Sequence, residues 1–460
     1  MGTEGLMAAR LRLCGRWAAL ALFSLAGCGG RGGVGSASPE PAADLAFRHG
    51  AVYTVDAGRT WAEAVAVRGG RIVYVGPDRG LEPFLGPRTE TIDLAGRMLL
   101  PGFEDSHVHL LTGGLHQEDC NVSAATTPEQ VLDEVRRYAA AHPQAPWIRG
   151  RGWQLPLFPQ ANPSRTLLDQ AAPGRAIALT AADGHSVWLS SEALRLAGIT
   201  RETPDPPRGR IERDATGAPS GTLREAASGL LSKVLPPRTA ADDLAGLRRG
   251  LVEAARLGIT SVQDASVDEA ILDAYRELDR RGELTVRATA AARVDPEAGL
   301  AEVQRLVSLR EKYRGRRLRV TTAKLFLDGV IEARTAALLA PYLGIAGGSR
   351  GTANWEPEPL NRLVAALDRA GFQIHVHAIG DRAVRLALDA FENAQATVGR
   401  RDSRHQIAHL ELIDPQDVPR FAKLGVIANF QSLWAYRDAY ITDLTEPVLG
   451  EARSRWLYPL

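Results

Sequence analysis

The sequence has 460 residues, of which 45% are hydrophobic and 24% are charged. This composition supports a large buried core and argues against global disorder. Lys and Arg together number 55 and Asp and Glu number 54, for a formal net charge of +1. No basic run with interleaved aromatic residues occurs, so a nucleic-acid partner is not expected.

The N-terminus has the pattern of an export signal. Three arginines precede a short apolar stretch, residues 17–25, which runs into Leu25-Ala-Gly-Cys28. This ending resembles a bacterial lipobox, so we expect residues 1–28 to be a lipoprotein signal peptide with Cys28 lipidated. Residues 29–44 would be a flexible tether, and the protein would be exported and anchored to the periplasmic or cell-surface side of a membrane. The alternative is an ordinary signal peptide with a chance cysteine. Only Cys120 would remain in the folded part, which excludes an intramolecular disulfide there.

The pattern of predicted secondary structure in the rest of the chain changes near Met98. Residues 45–98 read as short strands with a Gly69-Gly70 hairpin turn, which predicts a small β module. After that, apolar strands alternate with helical segments, which indicates a parallel α/β fold over residues 99–460. The stretch 142–239 is too long for one connection, and we interpret it as an insertion over the barrel mouth. The predicted barrel strands are 98–106, 258–264, 284–292, 318–327, 372–378, 405–411 and 425–431. The predicted helices are 128–141, 240–257, 268–281, 297–313, 358–370, 380–396 and 415–423.

Pairs of histidines stand at the ends of three predicted strands. His107 and His109 follow an apolar strand and share one face, where two imidazoles can bind one divalent metal. For an isolated pair, two polar strand-end histidines are the more common finding. His377 lies nearer its strand end than His375, and His409 nearer than His405, so we prefer His377 and His409 as ligands.

Lys324 lies inside another apolar strand. Burial of an ammonium group without a partner is costly, and desolvation favours the neutral amine. A neutral amine can react with carbon dioxide to give a carbamate, an anion able to bridge two metals. Pairing of Lys324 with Asp328 or another carboxylate is an equally good interpretation from spacing alone.

The order of these motifs resembles the amidohydrolase superfamily, and its branch related to N-substituted formamide deformylase in particular. The resemblance rests on Pro-Gly-Phe-Glu-Asp-Ser-His-Val-His at 101–109, Asp-Gly-His at 183–185, Lys-Leu-Phe-Leu-Asp-Gly at 324–329 and His-Ala-Ile-Gly-Asp at 377–381. It implies a distorted TIM (β/α)8-type barrel with a flanking β-sandwich, of which residues 45–98 would be the first part.

The resemblance also implies roles for individual residues. His107 and His109 would bind one zinc, His377 and His409 a second, and a carboxylated Lys324 would bridge the two ions. His185, in the insertion 142–239 that would form a lid, would face the substrate. A hydrogen-bonded structural histidine is as good an interpretation. The expected activity is hydrolysis of a non-peptide carbon–nitrogen bond of a small amide or formamide by zinc-activated water.

One element of the family pattern is not found. The family has an Asp, usually within Gly-Ser-Asp, after the eighth barrel strand, and this sequence contains no Gly-Ser-Asp. We therefore expect a barrel lacking its last strand, a C-terminally incomplete chain and little or no turnover, with the catalytic residue unknown. The alternative function is a degenerate, non-catalytic lipoprotein that binds metal or a small molecule.

Overall fold

The computed structural model describes residues 41–345 and 347–459. The predicted signal peptide, including Cys28, and the predicted tether up to residue 40 lie outside these ranges. The chain divides into two compact units, and the boundary in the sequence lies between Pro101 and Gly102. Within the described ranges, no helix combines the length and apolar character needed to cross a membrane.

The first unit consists of short strands in two small sheets. The turn between its two longest strands contains Gly69 and Gly70, whose φ angles of +55° and +74° favour glycine. This is the hairpin turn that the sequence predicts. One sheet has the order β5-β4-β1-β6 and the other β3-β2-β7. The strands are β1 Leu45–Arg48, β2 Ala51–Tyr53, β3 Trp61–Ala62, β4 Ala64–Arg68, β5 Arg71–Gly76, β6 Glu90–Asp93 and β7 Met98–Leu99.

The second unit alternates strands and helices. Its strands are β8 Phe103–Val108, β9 Cys120–Asn121, β10 Trp147–Trp153, β11 Ala176–Ala181, β12 Ser186–Leu189, β13 Gly209–Arg213, β14 Pro219–Glu225, β15 Ile259–Val267, β16 Arg287–Arg293, β17 Leu318–Phe326, β18 Gln373–Ala378, β19 Gln406–His409 and β20 Ile427–Asn429. Its helices are α1 Leu110–Leu115, α2 Pro128–Ala141, α3 Arg165–Ala171, α4 Ser191–Ala197, α5 Ala240–Arg256, α6 Glu269–Arg281, α7 Ala301–Lys312, α8 Pro357–Arg369, α9 Asp381–Val398, α10 Val418–Leu424, α11 Glu446–Leu449 and α12 Glu451–Ser454.

Seven of these strands form a nearly closed parallel barrel in the order β20-β19-β18-β17-β16-β15-β8. They correspond to the seven predicted strands, so the mixed α/β barrel is confirmed. The first predicted barrel strand, 98–106, began too early. Met98–Leu99 pairs with β2 in the first unit, and Pro101 and Gly102 separate these residues from β8. The two edge strands approach each other where Asn429 Nδ2 donates to Ser106 Oγ at 3.3 Å.

Local sequence signals set the βα alternation. Helix α5 begins with a capping box, in which Thr239 and Asp242 bond to each other's backbone N–H groups. Helix α6 is capped at its start by Asp268, whose side chain accepts from Ile271 N, and at its end by Gly282 in the left-handed conformation. These ends return the chain to the barrel so that every strand runs in the same direction. The carboxyl ends of the strands therefore meet at one rim.

A six-stranded sheet, with order β13-β14-β12-β11-β10-β9, is inserted between β8 and β15. We call it the inserted sheet. It begins at Cys120, earlier than the predicted 142, and α2 packs on it rather than on the barrel through residues such as Val131 and Val135. Trp153 and Trp188 are fully buried in the same core, so they pack the insertion and do not line a substrate site.

Candidate metal centre

The pairing of the strands brings the chemically active residues to one rim of the barrel. In the ladder between β17 and β18, Lys324 pairs with His375 and Phe326 with His377. In the next ladder Ala378 pairs with His409. Lys324 thus lies one layer below His377, because residues two apart share a face of a strand.

The four histidines that the sequence predicts as ligands lie together. The ring centroids of His107 and His109 are 5.5 Å apart, and those of His107 and His409 are 4.8 Å apart. His377 and His409 are 4.5 Å apart. Strands β8, β18 and β19 and the residue that follows β8 therefore deliver four imidazoles to one small region.

The surroundings keep these imidazoles neutral. Burial, together with the charges of Lys324 and His109, lowers the pKa of His107 to about 2. Burial is also the main cause that lowers the pKa of His377 and of His409 well below the usual value. A neutral imidazole has a free lone pair and is the form that binds metals. His109 follows edge strand β8 and its side chain is 46% exposed, yet burial of the ring and the charge of Lys324 lower its pKa too, to about 4.

Lys324 is buried, with only 1% of its surface exposed. Burial, with a smaller effect of the Arg293 charge, lowers the pKa of its amine to about 7. Across the described ranges Lys324 has no ion pair, and its Nζ lies 4.7 Å from the centroid of the Phe326 ring. Asp328 instead accepts from the backbone N–H groups of Ala337, Ile379 and Gly380 at 2.8–3.0 Å. The alternative that Lys324 pairs with Asp328 is therefore wrong.

His375 and His405 are held by other partners. His375 uses both ring nitrogens, with Nδ1 3.0 Å from Gln263 Oε1 and Nε2 3.0 Å from His107 Nδ1. His405 lies away from the rim, where its Nε2 is 3.2 Å from Asp368 Oδ1. Neither has a free nitrogen directed at the histidine cluster.

The imidazole nitrogens of the cluster are suitable metal donors, although their present positions do not converge on one point. Among residues 41–345 and 347–459, no group of three or more His, Cys, Asp or Glu side chains could hold an ion as the side chains stand. His377 Nε2, for example, lies 3.1 Å from Gly329 O. However, His409 Nδ1 is buried without any hydrogen-bond partner, which is costly unless another ligand satisfies it. Neutral imidazoles with a buried amine suit a borderline metal such as zinc.

His185, between β11 and β12, reaches the cluster from the inserted sheet. Its ring centroid lies 5.2 Å from that of His377, and its Nδ1 is 2.9 Å from Glu225 Oε2. Burial alone would lower the pKa of His185, but the Glu225 carboxylate outweighs that effect and raises it to about 9.

Several residues at the site were not predicted from the sequence. Asp264 is buried below His109, 4.0 Å from its Nδ1, and accepts from the Tyr275 hydroxyl at 2.9 Å. Burial raises the pKa of Asp264 to about 7. A carboxylate within a predicted barrel strand, like the amine of Lys324, is the clue that could have identified it. Glu225 and Trp434 lie in segments with no such pattern.

A barrel whose strand ends gather neutral histidines and a buried lysine has the architecture of a metal-dependent hydrolase. A model of the amidohydrolase family matches residues 90–460. The chain belongs to this family, and its membership supports a metal-dependent hydrolase with a metal cofactor.

Known relatives span most of the chain. The exoenzymes regulatory protein AepA of Pectobacterium carotovorum subsp. carotovorum is 31% identical, over 89% of this chain and 89% of its own length. The N-substituted formamide deformylase of Arthrobacter pascens is 29% identical, over 84% of this chain and 72% of its own. The crystal structure of an uncharacterized metal-dependent hydrolase from Pyrococcus horikoshii matches with a TM-score of 0.68 and 26% identity. It covers 90% of this chain and 79% of that protein.

Proposed function

We propose that this protein hydrolyses a non-peptide carbon–nitrogen bond, in a small amide or an N-substituted formamide, with zinc as its metal. The observation that carries the proposal is the convergence of four neutral histidines beside a buried lysine that has no carboxylate partner within the described ranges. The similarity to an N-substituted formamide deformylase supports the type of bond.

Each residue of the cluster has a role in this proposal. His107 and His109 would hold one ion, and His377 and His409 would hold the second. The neutral amine of Lys324 would add to carbon dioxide, with formation of an N–C bond and loss of a proton, and the resulting carbamate would be an anionic ligand for the ions. Bound zinc would polarise the amide carbonyl and lower the pKa of a water molecule. With Lys324 unmodified, we expect a single ion.

We also propose that the inserted sheet acts as a lid over this centre. The contact of its His185 with His377 at the rim of the barrel supports this proposal. Strands β8 and β20 each lack a second neighbour in the described part of the sheet. We propose that one more strand would close the barrel between them.

Metal content and turnover, measured on the same purified protein, test the function. We expect bound zinc and hydrolysis of at least one member of a panel of N-substituted formamides and small amides, and loss of both in His377→Asn. His142→Asn is the matched control, because the exposed His142 stacks on the partly buried ring of Tyr138, away from the cluster. Lys324→Ala should lower the zinc content, and a short carboxylate such as propionate should partly restore turnover. Loss of turnover in His142→Asn, or full activity of His377→Asn, would contradict the proposal.

The second candidate is a non-catalytic protein that binds metal or a small molecule. It is favoured by the present arrangement of the side chains, in which His107 is bonded to His375. Zinc binding at the cluster with no turnover on the whole panel would identify this function.

We further propose that the protein is exported and anchored by a lipid on Cys28. The support is the sequence of residues 1–28 alone. Metabolic labelling with palmitate should modify the wild type and not Cys28→Ser, and fractionation should move the variant from the membrane to the soluble fraction. Equal labelling of both proteins would rule the anchor out.

A further inference from the structure

Glu225, the last residue of β14, has a strained backbone. Its φ and ψ are 51° and −128°, the mirror image of an extended conformation, which glycine adopts readily and other residues avoid. Strain of this kind persists only where the surroundings enforce it, and it concentrates at functional sites.

Both oxygens of the Glu225 carboxylate are engaged. Oε2 accepts from His185 Nδ1 at 2.9 Å, and Oε1 accepts from Thr335 Oγ1 at 2.7 Å. Thr335 is itself fixed, because its Oγ1 accepts from Val330 N at 3.0 Å. The backbone of Glu225 is tied to the same histidine, since Glu225 N donates to His185 O at 2.9 Å. The strained residue thus holds His185 by both its main chain and its side chain.

Gly329 allows this arrangement to form next to the metal centre. A Cβ atom at Gly329 would lie 2.3 Å from Glu225 Oε1 and 2.2 Å from Thr335 Oγ1, so any larger residue would displace the pair. The carbonyl of the same glycine contacts His377 Nε2 at 3.1 Å. The backbone at Gly329 therefore lies between the Glu225 carboxylate and His377, a candidate metal ligand.

These contacts determine which ring nitrogen of His185 is available to a ligand. With Nδ1 bonded to Glu225, Nε2 on the opposite side of the ring remains available. In the part of the chain that the structure describes, Nε2 has no hydrogen-bond partner, and the side chain retains 16% of its surface exposed. The ring lies 5.2 Å from that of His377.

We infer that Glu225 is a positioning residue, which fixes the orientation of His185 so that Nε2 contacts the reacting end of the substrate beside the metal centre. Thr335 supports it by fixing the carboxylate. This inference rests on the proposed hydrolase function. It explains why a glutamate is tolerated at a backbone position that suits glycine.

Two variants separate this role from a purely structural one. Glu225→Gln keeps the size and one acceptor oxygen but removes the charge, and we expect kcat to fall at least about tenfold with little change in KM. Glu225→Gly relieves the strain, so the fold should persist, with a melting temperature within a few degrees of the wild type, while kcat falls further. Asp368→Asn is the matched control, because it removes a buried carboxylate paired with His405 away from the site, and its kcat should equal that of the wild type.

Either of two results would overturn the inference. One is wild-type kcat in Glu225→Gln or Glu225→Gly. The other is an equal loss of kcat in Asp368→Asn, which would show that any buried carboxylate–histidine pair has the same effect.

The state of His185 can be measured without metal or turnover. Long-range ¹H–¹⁵N spectra at pH 8.5, assigned with His185→Gln, should show a proton on Nδ1 in the wild type and its loss from Nδ1 in Glu225→Gly. An Nδ1 without a proton in the wild type would refute the positioning of His185. A wild type that hydrolyses no amide would instead refute the proposed function, so the two failures are distinguishable.

Discussion

The indole of Trp434 stacks on the imidazole of His409, with ring centroids 5.0 Å apart and planes inclined by 15°. His409 ends strand β19 with a φ of +78°, and the following Leu410 also has a positive φ of +55°. The backbone at this candidate ligand is therefore irregular. The stacked tryptophan is one of the contacts that keep its ring in the cluster.

We predict that Trp434→Leu weakens zinc binding by about 10- to 100-fold, the range typical when a residue supporting a ligand is lost. Trp434→Phe retains an aromatic face and should bind nearly as the wild type does. Competition with a chromogenic chelator measures both affinities. Trp61→Leu is the control, because Trp61 packs on Tyr53 in the other unit. Unchanged affinity in Trp434→Leu would show that the stacking does not support His409.

Helix α1, which begins directly after His109, crosses α5 at a point of very close approach. A Cβ atom at Gly114 would lie 1.9 Å from Gly246 O and 2.8 Å from Gly250 N, so a larger residue must push the two backbones apart. At the neighbouring Gly113 a Cβ atom would meet nothing within 4 Å.

These two glycines form a matched pair. We predict that Gly114→Ala lowers the free energy of unfolding by about 1–3 kcal/mol through overpacking. Gly113→Ala should raise it by about 0.5–1 kcal/mol, because alanine loses less conformational entropy in a helix. Urea unfolding of both variants tests this, and equal effects would mean that the helix crossing adapts. Because α1 follows His109, Gly114→Ala should also reduce zinc affinity.

The barrel was predictable from sequence because strand-like segments alternate regularly with amphipathic helical segments, although β8 itself is largely polar. The pairs His107/His109 and His375/His377 follow from a period of two, which identifies residues that share a face. The order of strands in the sheet follows the chain, so motifs far apart in sequence meet at one rim.

Other features depend on information that no local pattern contains. Glu225 meets His185 because β12 and β14 pair antiparallel with Ser186 opposite Arg224, and such a register between distant strands is not readable from either segment. The amphipathic pattern of α2 suited the barrel and the inserted sheet equally well, so its packing partner could not be deduced.

The thiol of Cys120 is fully buried on the shortest strand of the inserted sheet. Burial, with a smaller effect of Glu134, raises its pKa to about 12, so almost none of the reactive thiolate is present at neutral pH. We predict no reaction with Ellman's reagent in the native protein and one equivalent after unfolding in guanidinium, in a Cys14→Ser/Cys28→Ser background. Rapid labelling of the native protein would show that the inserted sheet opens readily.

Asp368, on α8, is the centre of a buried polar group at the end of the barrel away from the histidine cluster. Its Oδ1 accepts from Ser403 Oγ at 2.6 Å and lies 3.2 Å from His405 Nε2, while Arg401 approaches within 3.1 Å. Burial alone would raise the pKa of this carboxyl. The hydrogen bonds from His405 and Ser403 and the nearby positive charge outweigh burial and lower the pKa to about 2.

The direction of this shift sets a pH dependence. The unfolded chain binds a proton at Asp368 near its usual pKa of about 4, before the folded protein does. The stabilisation is therefore complete above about pH 4 and is lost as the pH falls towards 2. We predict that Asp368→Asn lowers the free energy of unfolding by about 1–2 kcal/mol at pH 7, and that the difference from the wild type shrinks between pH 4 and pH 2.5. Urea unfolding across this range measures it, and a difference that stays constant down to pH 2.5 would show that the charge of Asp368 contributes nothing to stability.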